Sequence, residues 1–360
     1  MPIRILPREL VDQIAAGEVI ERPASVVKEL IENALDAGAH RIEIDIEQGG
    51  IARIAVRDDG VGIDARELPL AVHPHATSKI ATLEDLEGVR TLGFRGEALA
   101  SIASVARLSL RSRTADAAQA SELRVEGGAV LEQRPAAQPA TGTQVEVRDL
   151  FFNVPARRKF LRTAATELAH IERLVQRLAL SRFDVAFRLR QGSRLLLDTP
   201  AASSAAERLR RVASVLGAAF VADCIPIDAA AGPLRLTGWL GAQRAARAQP
   251  DAQFWFVNGR ALRDRLLGNA ARLGYRDVLY HGRYPAYVLY LDIDPQLVDV
   301  NAHPTKAEIR FRDGRQVHDA VMRAVERTLA RPVAAVAAGA ARIAEPAEPR
   351  GPDAAAAGSA

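Results

Sequence analysis

The sequence contains few residues of several kinds, and each shortage excludes a class of protein. Cys224 is the single cysteine among 360 residues, which excludes an intramolecular disulfide and a multi-cysteine zinc site. No apolar run reaches the ~20 residues of a membrane-spanning helix, and the first residues lack the apolar core of a signal peptide. Basic residues exceed acidic ones by only 48 to 44, so any surface for nucleic acid must be local. We therefore expect a cytoplasmic protein with no membrane partner.

The composition predicts two globular domains followed by a flexible segment. Hydrophobic residues make up 48% of the chain and charged residues 26%, which is the balance of a folded protein. At ~150 residues per domain the length corresponds to two domains. The stretch at 199–204 is the candidate boundary between a first domain at 1–200 and a second at 205–331. Residues 332–360 are rich in Ala, Gly, Pro and Glu, so we expect a linker or tail there.

Hydrophobic periodicity predicts a mixture of helices and strands, and hence the α+β class. In the first domain we predict the following elements: a helix between Arg22 and Gly38, strands at 41–47 and 51–56 joined by a turn at 48–50, and a helix at 163–182. In the second domain we predict helices at 206–220 and 263–273 and strands at 234–240, 253–262, 285–293 and 307–312. Asn258-Gly259 is a typical hairpin turn within the second of these strands.

The first predicted helix carries a line of polar residues beside its apolar stripe. At ~100° per residue, Glu29, Asn33 and Asp36 fall within one narrow arc. A carboxylate one turn from a carboxamide can orient a water molecule while the amide oxygen binds Mg²⁺. The alternative is an ordinary solvated face of the helix, and this helix alone favours that alternative.

A short Asp- and Gly-containing segment follows the second predicted strand. Asp58 stands at the end of the strand, and Gly60 and Gly62 allow the backbone to approach a ligand closely. The carboxylate of Asp58 can accept a hydrogen bond from an exocyclic amine such as that of adenine. A surface turn of the same composition is common, so this segment is weak evidence by itself.

A third segment is suited to phosphate. Glycines lead into a helix-forming run at 93–99, and N–H groups at a helix start can bind phosphate oxygens. Upstream, Thr77, Ser78 and Lys79 supply two hydroxyls and an ammonium, and Thr143 precedes a strand whose start can reach the same pocket. The P-loop and dinucleotide-binding patterns are both missing from the sequence.

Taken in order, these segments resemble the four motifs of the GHKL nucleotide-binding superfamily. Longer runs resemble the MutL mismatch-repair proteins in particular, and several long motifs in the same order make coincidence remote. These runs are Gln13–Pro23, Lys28–Asn33, Gly93–Ile102, Phe152–Leu161, Val257–Arg260 and Asp299–Lys306. The resemblance covers roughly residues 1–330. It implies a GHKL-type α/β sandwich followed by a smaller α+β domain of the ribosomal-protein type.

The resemblance also implies a role for individual residues. Glu29 resembles the general base that orients water, Asn33 the Mg²⁺ ligand, and Asp58 the adenine-binding carboxylate, while Lys306 resembles the lysine that reaches the γ-phosphate. The remaining residues of the implied ATP site complete the base pocket or cover the triphosphate: Gly62, Thr143, Thr77, Ser78, Lys79, Gly93, Phe94, Arg95, Gly96, Glu97, Ala98 and Leu99.

By the same resemblance, the function expected is ATP hydrolysis in DNA mismatch repair. ATP and Mg²⁺ would drive homodimerisation through the segment before Ala16, DNA binding, and coupling of the mismatch-recognition protein MutS to a downstream helicase or nuclease. Such a protein would be cytoplasmic and nucleoid-associated during repair. The family's nuclease, where it has one, belongs to a C-terminal domain, so we expect no nuclease in these residues.

Other residues have weaker signals. The resemblance favours DNA contact by Arg260, Arg263 and Arg265, which could otherwise be solvated. His303 belongs to no metal-spaced cluster and is predicted to be structural. All five tyrosines fall between Tyr275 and Tyr290, and their alternation favours a packed strand over base stacking. We expect Cys224 to be a buried small residue.

Two residues depart from the family pattern. Asp59 stands where the family usually has Asn and would add a carboxylate beside the adenine site. Pro74 stands before the phosphate segment, where a basic residue is common.

Two rival functions remain open. A GHKL protein kinase would share the first-domain motifs, and a DNA-binding scaffold would keep the fold without hydrolysis. ATP hydrolysis by the native protein and by a Glu29→Ala variant separates these possibilities.

Overall fold

The computed structural model describes residues 7–77, 96–138, 140–280, 282–299 and 310–330. The chain divides into two compact units. The first comprises residues up to Ser203 together with Arg210–Ala218 and Gly259–Ala261. The second comprises Ser204–Leu209, Ala219–Asn258 and the chain from Leu262. No helix of the described residues is long and apolar enough to span a membrane.

The first unit is built on an eight-stranded sheet with the strand order β5-β4-β3-β6-β2-β1-β7-β8. Its strands are β1 Arg41–Glu47, β2 Arg53–Asp58, β3 Arg107–Arg113, β4 Ala120–Glu126, β5 Ala129–Ala136, β6 Gly142–Arg148, β7 Ala186–Gln191 and β8 Arg194–Thr199. Its helices are α1 Arg8–Val19, α2 Pro23–Asp36, α3 Leu68–Ala71, α4 Ala98–Val105, α5 Pro155–Phe160 and α6 Ala164–Ser181. All neighbouring strands whose register is described are antiparallel except β1 and β7, which run parallel.

Helix α2 forms where the sequence predicts it. Pro23 occupies the first turn, where a missing N–H costs nothing, and Gly38 follows the helix with a φ of 73°. Its apolar residues at helical spacing are all buried: Val26, Val27, Leu30, Ile31, Ala34 and Leu35. They pack with the alternating isoleucines of β1 in one hydrophobic core, so one face of the sheet is covered.

The helices and strands predicted in the first unit are present, with small shifts of their first and last residues. Strand β1 and helix α6 match their predictions. Strand β2 begins at Arg53 rather than Ile51, because a 3-10 turn at Gln48–Gly50 precedes it and Ile51 is the C-cap of that turn.

A second sheet has five strands in the order β12-β11-β13-β10-β9. Its strands are β9 Ile225–Ala231, β10 Leu234–Leu240, β11 Gln253–Val257, β12 Arg260–Leu262 and β13 Tyr287–Ile293, and a separate pair is formed by β14 Val298–Asp299 and β15 Arg310–Phe311. The helices from residue 205 onward are α7 Ala205–Leu216, α8 Ala218–Ala222, α9 Arg265–Gly274 and α10 Gly314–Leu329. The described part of the chain is thus α+β, as predicted.

Several helices and strands after residue 204 differ from those predicted from the sequence. Residues 206–220 were expected to form one helix, but Gly217 adopts a φ of 93° and separates α7 from α8. Strand β9 and helix α10 were not predicted. Helix α10 buries valines spaced by four residues, and because valine is a poor helix former the pattern was weak.

The hairpin turn follows the prediction, and so do Tyr287 and Tyr290 on the packed strand β13, whereas Tyr280 is 76% exposed. Asn258 and Gly259 both have positive φ, as a type I′ turn requires, and connect β11 to β12. Tyr275 and Tyr287 are fully buried, and Tyr290 stacks on Phe256. Cys224 was expected to be buried but is half-buried, and its thiol faces the carbonyl of Val221 at 3.5 Å. The predicted tail at 332–360 and residues 307–309 of the last strand lie outside the described residues.

Candidate functional site

Asp58 is a buried carboxylate at the carboxyl end of β2. Its Oδ1 accepts hydrogen bonds from the backbone N–H of Gly60 at 2.9 Å and of Thr143 at 3.3 Å. Burial raises the pKa of Asp58 to about 6, although both backbone hydrogen bonds oppose the shift. Both bonds end on Oδ1, and among the described residues no hydrogen bond ends on Oδ2, so this oxygen can accept a donor from a ligand.

Two glycines allow close packing of the backbone where the loop after β2 meets β3 and β6. Gly62 has a φ of 77°, and a side chain there would collide with the carbonyl of Arg113. Gly142 has a φ of 130°, and a side chain there would collide with the carbonyl of Asp58 itself. Only glycine satisfies both requirements, so the loop after β2 packs directly on the end of β3, and the start of β6 packs directly on the backbone of Asp58.

Thr143 belongs to a buried hydroxyl pair that sequence reasoning did not find. Its Oγ1 lies 2.9 Å from Oγ of Ser112, the residue directly opposite it on β3. Ser112 Oγ also accepts the N–H of Ile63 at 2.8 Å, which ties the Gly62 loop to the sheet. Serines are common on strands, and only the β3–β6 register identifies this one, so the sequence carries no signal for it.

The extra carboxylate of Asp59 has a local structural task. Its Oδ1 accepts the backbone N–H groups of His40 and Arg41, both at 2.8 Å. Asp59 therefore anchors the start of β1. Its charge makes only a small contribution to the raised pKa of Asp58, behind burial.

The polar line on α2 is partly accessible, and Lys28 organises it. Glu29 and Asn33 are both half-buried, and the Nζ of Lys28 lies 2.9 Å from Oε1 of Glu29 and 3.0 Å from Oε2 of Glu32. Burial disfavours the ammonium, but attraction to Glu32 and Glu29 outweighs burial and raises the pKa of Lys28. Burial also raises the pKa of the Glu32 carboxyl. The spacing of Lys28 and Glu32 by four residues could have predicted this pair.

The residues present fit a nucleotide with its metal ion. The buried acceptor of Asp58 and the glycine backbone around it suit the base. Within the described ranges no cluster of three or more acidic, His or Cys residues could hold a metal ion alone. Mg²⁺ commonly takes one or two protein ligands and completes its shell with water and phosphate oxygens. Asn33 is consistent with that pattern.

The two ends of the predicted phosphate segment meet in the structure. Gly96 has a φ of 63°, and a side chain there would press on the carbonyl of Ala76. Nδ1 of His75 lies 3.1 Å from Oε1 of Glu97, directly before α4, which begins at Ala98. Thr77 and Leu99 are half-buried in the same region. The remaining predicted residues lie outside the described residues: Ser78, Lys79, Gly93, Phe94, Arg95, His303 and Lys306. The effect of Pro74 on this segment therefore stays a prediction.

The three arginines predicted to contact DNA lie at the β12–α9 connection. Arg260 is half-buried on β12, whereas Arg263 and Arg265 are exposed. Helix α5 is a second basic feature, since none of its residues is buried and Arg158 and Lys159 are exposed on it. DNA binding by Arg260, Arg263 and Arg265 stays a prediction, and none was made for α5.

Two family models match the chain. One, described as the DNA mismatch repair protein C-terminal domain, matches residues 212–330. The other, described as a histidine kinase-, DNA gyrase B- and HSP90-like ATPase, matches residues 20–147. The DNA mismatch repair protein MutL of Pseudomonas fluorescens (strain SBW25) is 56% identical over 328 residues, which are 91% of this chain and 52% of that protein. The chain thus spans about half the length of the curated relatives it matches.

Two solved structures of DNA repair proteins are similar to this chain over most of its length. The crystal structure of the N-terminal domain of a DNA repair protein is 27% identical, with a TM-score of 0.76, and the match covers 89% of this chain and 97% of that one. The Aquifex aeolicus MutL ATPase domain complexed with ADP is 29% identical, with a TM-score of 0.59 and coverage of 84% and 98%. The expected GHKL-type sandwich followed by a smaller α+β domain is thereby confirmed.

Proposed function

The chain belongs to the MutL family of DNA mismatch repair proteins, and from this premise we propose that it binds ATP with Mg²⁺ and hydrolyses it to ADP and phosphate. The observation that carries the proposal is the buried carboxylate of Asp58, whose Oδ1 accepts two backbone N–H groups and whose Oδ2 makes no hydrogen bond among the described residues. A buried carboxylate is costly unless a donor completes its hydrogen bonds, and the exocyclic amine of adenine is such a donor.

The geometry of α2 supports Glu29 as the general base. Lys28 occupies Oε1 of Glu29, so Oε2 is the oxygen that accepts a proton from the attacking water. Asn33, one turn further along α2, would hold Mg²⁺, which supplies positive charge to the phosphate oxygens when bound. Thr77 and the residues from Gly96 to Leu99 would contact the phosphates, and Lys306 would reach the terminal phosphate.

The remaining family functions belong to the same proposal. They are DNA binding through Arg260, Arg263 and Arg265, homodimerisation with ATP, and coupling of MutS to a downstream helicase or nuclease. The domain division at 1–200, 205–331 and 332–360 is proposed with them.

Phosphate release from ATP tests the enzymatic part. Glu29→Ala should lower turnover by ~10²–10⁴-fold and leave ATP affinity nearly intact, because a general base acts mainly in the transition state. Asp58→Ala should lose ATP binding itself. Glu132→Ala, an exposed change on β5, is the control and should behave like the native chain. Transfer of labelled phosphate to protein would instead favour a kinase, and undiminished hydrolysis by Glu29→Ala would contradict the assignment of the base.

A further inference from the structure

Helix α1 is docked on the first unit near its carboxyl end. Ala16 in its last turn and Ile20, which caps it, are fully buried in the first hydrophobic core. The helix also packs against α4, at the end of the predicted phosphate segment. Val11 and Ile14, by contrast, are about half exposed. The buried side chains described in this segment therefore lie at its carboxyl end.

Arg157 of α5 lies directly on the same turn of α1. Gly17 has no side chain, and a Cβ placed there would overlap the guanidinium nitrogen Nη2 of Arg157. Gly17 therefore leaves the space that the guanidinium occupies. The carboxyl end of a helix carries a partial negative charge, and α1 has no basic residue of its own in its last turn. Arg157 supplies the positive charge there, which gives a modest attraction.

The guanidinium of Arg157 is incompletely paired in this position. Its Nη1 also lies against Gly17, is buried, and has no hydrogen-bond partner among the described residues. Water can reach this nitrogen once α1 moves away. A buried charged donor without an acceptor costs more free energy than the end of a helix dipole returns. Docking of α1 therefore carries a penalty at Arg157 that the released segment avoids.

We propose that Arg157 is a release element for α1, which weakens the docked state so that the segment can leave its own unit and contact a second copy of the chain. The assembly half of this inference rests on the proposed function, in which ATP favours dimerisation through this segment. A weakly docked segment is transferred by a small difference in affinity between two states. An apolar side chain at position 157 holds α1 more firmly and opposes the transfer.

Hydrogen exchange of the nucleotide-free chain tests the docked state. Amides of α1 should exchange faster than those of α2, because weakly docked elements open more often. Arg157→Met should slow the α1 amides by ~10-fold or more, since methionine keeps an apolar stem without the unpaired charge. Arg158→Met, the neighbouring exposed change on α5, is the matched control and should leave α1 exchange unchanged.

Two results of this experiment would overturn the proposal. One is unchanged or faster exchange of α1 in Arg157→Met, and the other is native α1 amides that exchange as slowly as those of α2. Arg157→Leu is an independent apolar variant with the same expected result, and it decides if Arg157→Met does not fold.

A double-mutant cycle with Gly17 separates this contact from a general effect on α5. In Gly17→Ala the new methyl group displaces the guanidinium. Adding Arg157→Met to that variant should therefore change α1 exchange by less than ~2-fold. An equal effect of Arg157→Met in both backgrounds would contradict the proposal.

Light scattering with a non-hydrolysable ATP analogue and Mg²⁺ tests the assembly half. Arg157→Met should raise the dissociation constant of the dimer by ~10-fold or more, because each subunit must first release α1, while ATP affinity stays native. A dissociation constant equal to that of the native chain would overturn this half. If the native chain stays monomeric with the analogue, the proposed assembly fails, and the exchange experiment still decides the role of Arg157 in docking.

Discussion

At the residue scale, Asp58 illustrates the conflict between a binding group and the stability of the fold. The carboxyl has a pKa of about 6 instead of 3.8 because burial disfavours its charge. A pKa raised in the folded state means that ionisation destabilises the fold. The penalty is absent below the unfolded pKa, grows as the pH rises, and is complete above about pH 6.

We therefore predict that Asp58→Asn stabilises the nucleotide-free chain at neutral pH. A shift of about 2 pKa units corresponds to about 3 kcal/mol, and since Asn is a weaker acceptor we expect a gain of about 1–3 kcal/mol. The carboxamide oxygen still accepts the N–H groups of Gly60 and Thr143. Urea unfolding at several pH values measures this gain, which should vanish near pH 4. A variant that is less stable than the native chain at neutral pH would contradict the prediction.

The bridge from Lys28 to Glu29 leads to a second prediction at this scale. Under the proposed function, Glu29 is the general base. Without the ammonium of Lys28 its carboxylate is less constrained, and a misplaced base lowers the reaction rate more than it lowers ATP affinity. We expect Lys28→Met to reduce turnover by ~5–20-fold with ATP affinity little changed, and Lys28→Arg to restore part of the loss. Arg188→Met removes an ion pair with Asp198 between β7 and β8 and is the control. Native turnover in Lys28→Met would exclude this positioning role.

The sequence predicted some of these residues and missed others for physical reasons. Asp58 ends a predictable strand and precedes glycines, so the local pattern indicated it as a candidate, but only the family resemblance assigned it a role. Ser112 and Thr143 meet only through the pairing of β3 with β6, which no local pattern specifies. The carboxylate of Asp59 was expected beside the adenine site. In the structure it accepts backbone N–H groups at the start of β1, a contact that depends on the neighbouring strand and that no local pattern specifies.

At the element scale, helix α6 ends on a buried arginine from α7. Arg211 is 3% exposed, and its guanidinium donates to the carbonyls of Ala179, Arg182, Val185 and Pro200. The last carbonyl groups of a helix have no donor within the helix, and the N–H groups of the Arg211 guanidinium supply donors there. From the sequence alone, Arg211 cannot be distinguished from the other charged residues of an amphipathic helix. The fold prediction therefore gave the helix but not its buried arginine.

We predict that Arg211→Lys destabilises the chain by about 2–4 kcal/mol. Lysine keeps the charge but cannot reach several carbonyls with one planar fork, so buried acceptors lose their donors. Arg210→Lys, the neighbouring change, is the control and should alter stability little. Urea or thermal unfolding measures the difference, and equal stability of the two variants would show that water replaces the guanidinium.

At the scale of the whole molecule, the small net charge of +4 means that the proposed DNA binding would have to come from local surfaces. Reversing the charges of the exposed Arg263 and Arg265 should weaken DNA binding at low salt. Each lost phosphate contact should remove about one unit from the slope of log affinity against log salt. ATP affinity should not change. An unchanged salt slope would assign these arginines to the ordinary solvated surface.

Helix α1 supplies the last prediction, which concerns assembly. Val11 and Ile14 lie nearly one turn apart on α1 and are 47% and 50% exposed, so they form an exposed apolar pair. Under the proposed function, a non-hydrolysable ATP analogue with Mg²⁺ favours the state that dimerises through this segment, and it shifts the population only by its differential affinity. We expect light scattering to give a monomer without nucleotide or with ADP and a dimer with the analogue.

Substitutions on α1 test whether this segment forms the dimer. Replacing Val11 and Ile14 with Glu should abolish the dimer while ATP affinity stays native. Leu195→Glu on β8, where the side chain is 50% exposed, is the matched control and should still dimerise. Equal molecular mass in all nucleotide states would refute the switch and leave the ATPase proposal intact, because hydrolysis is measured independently of mass.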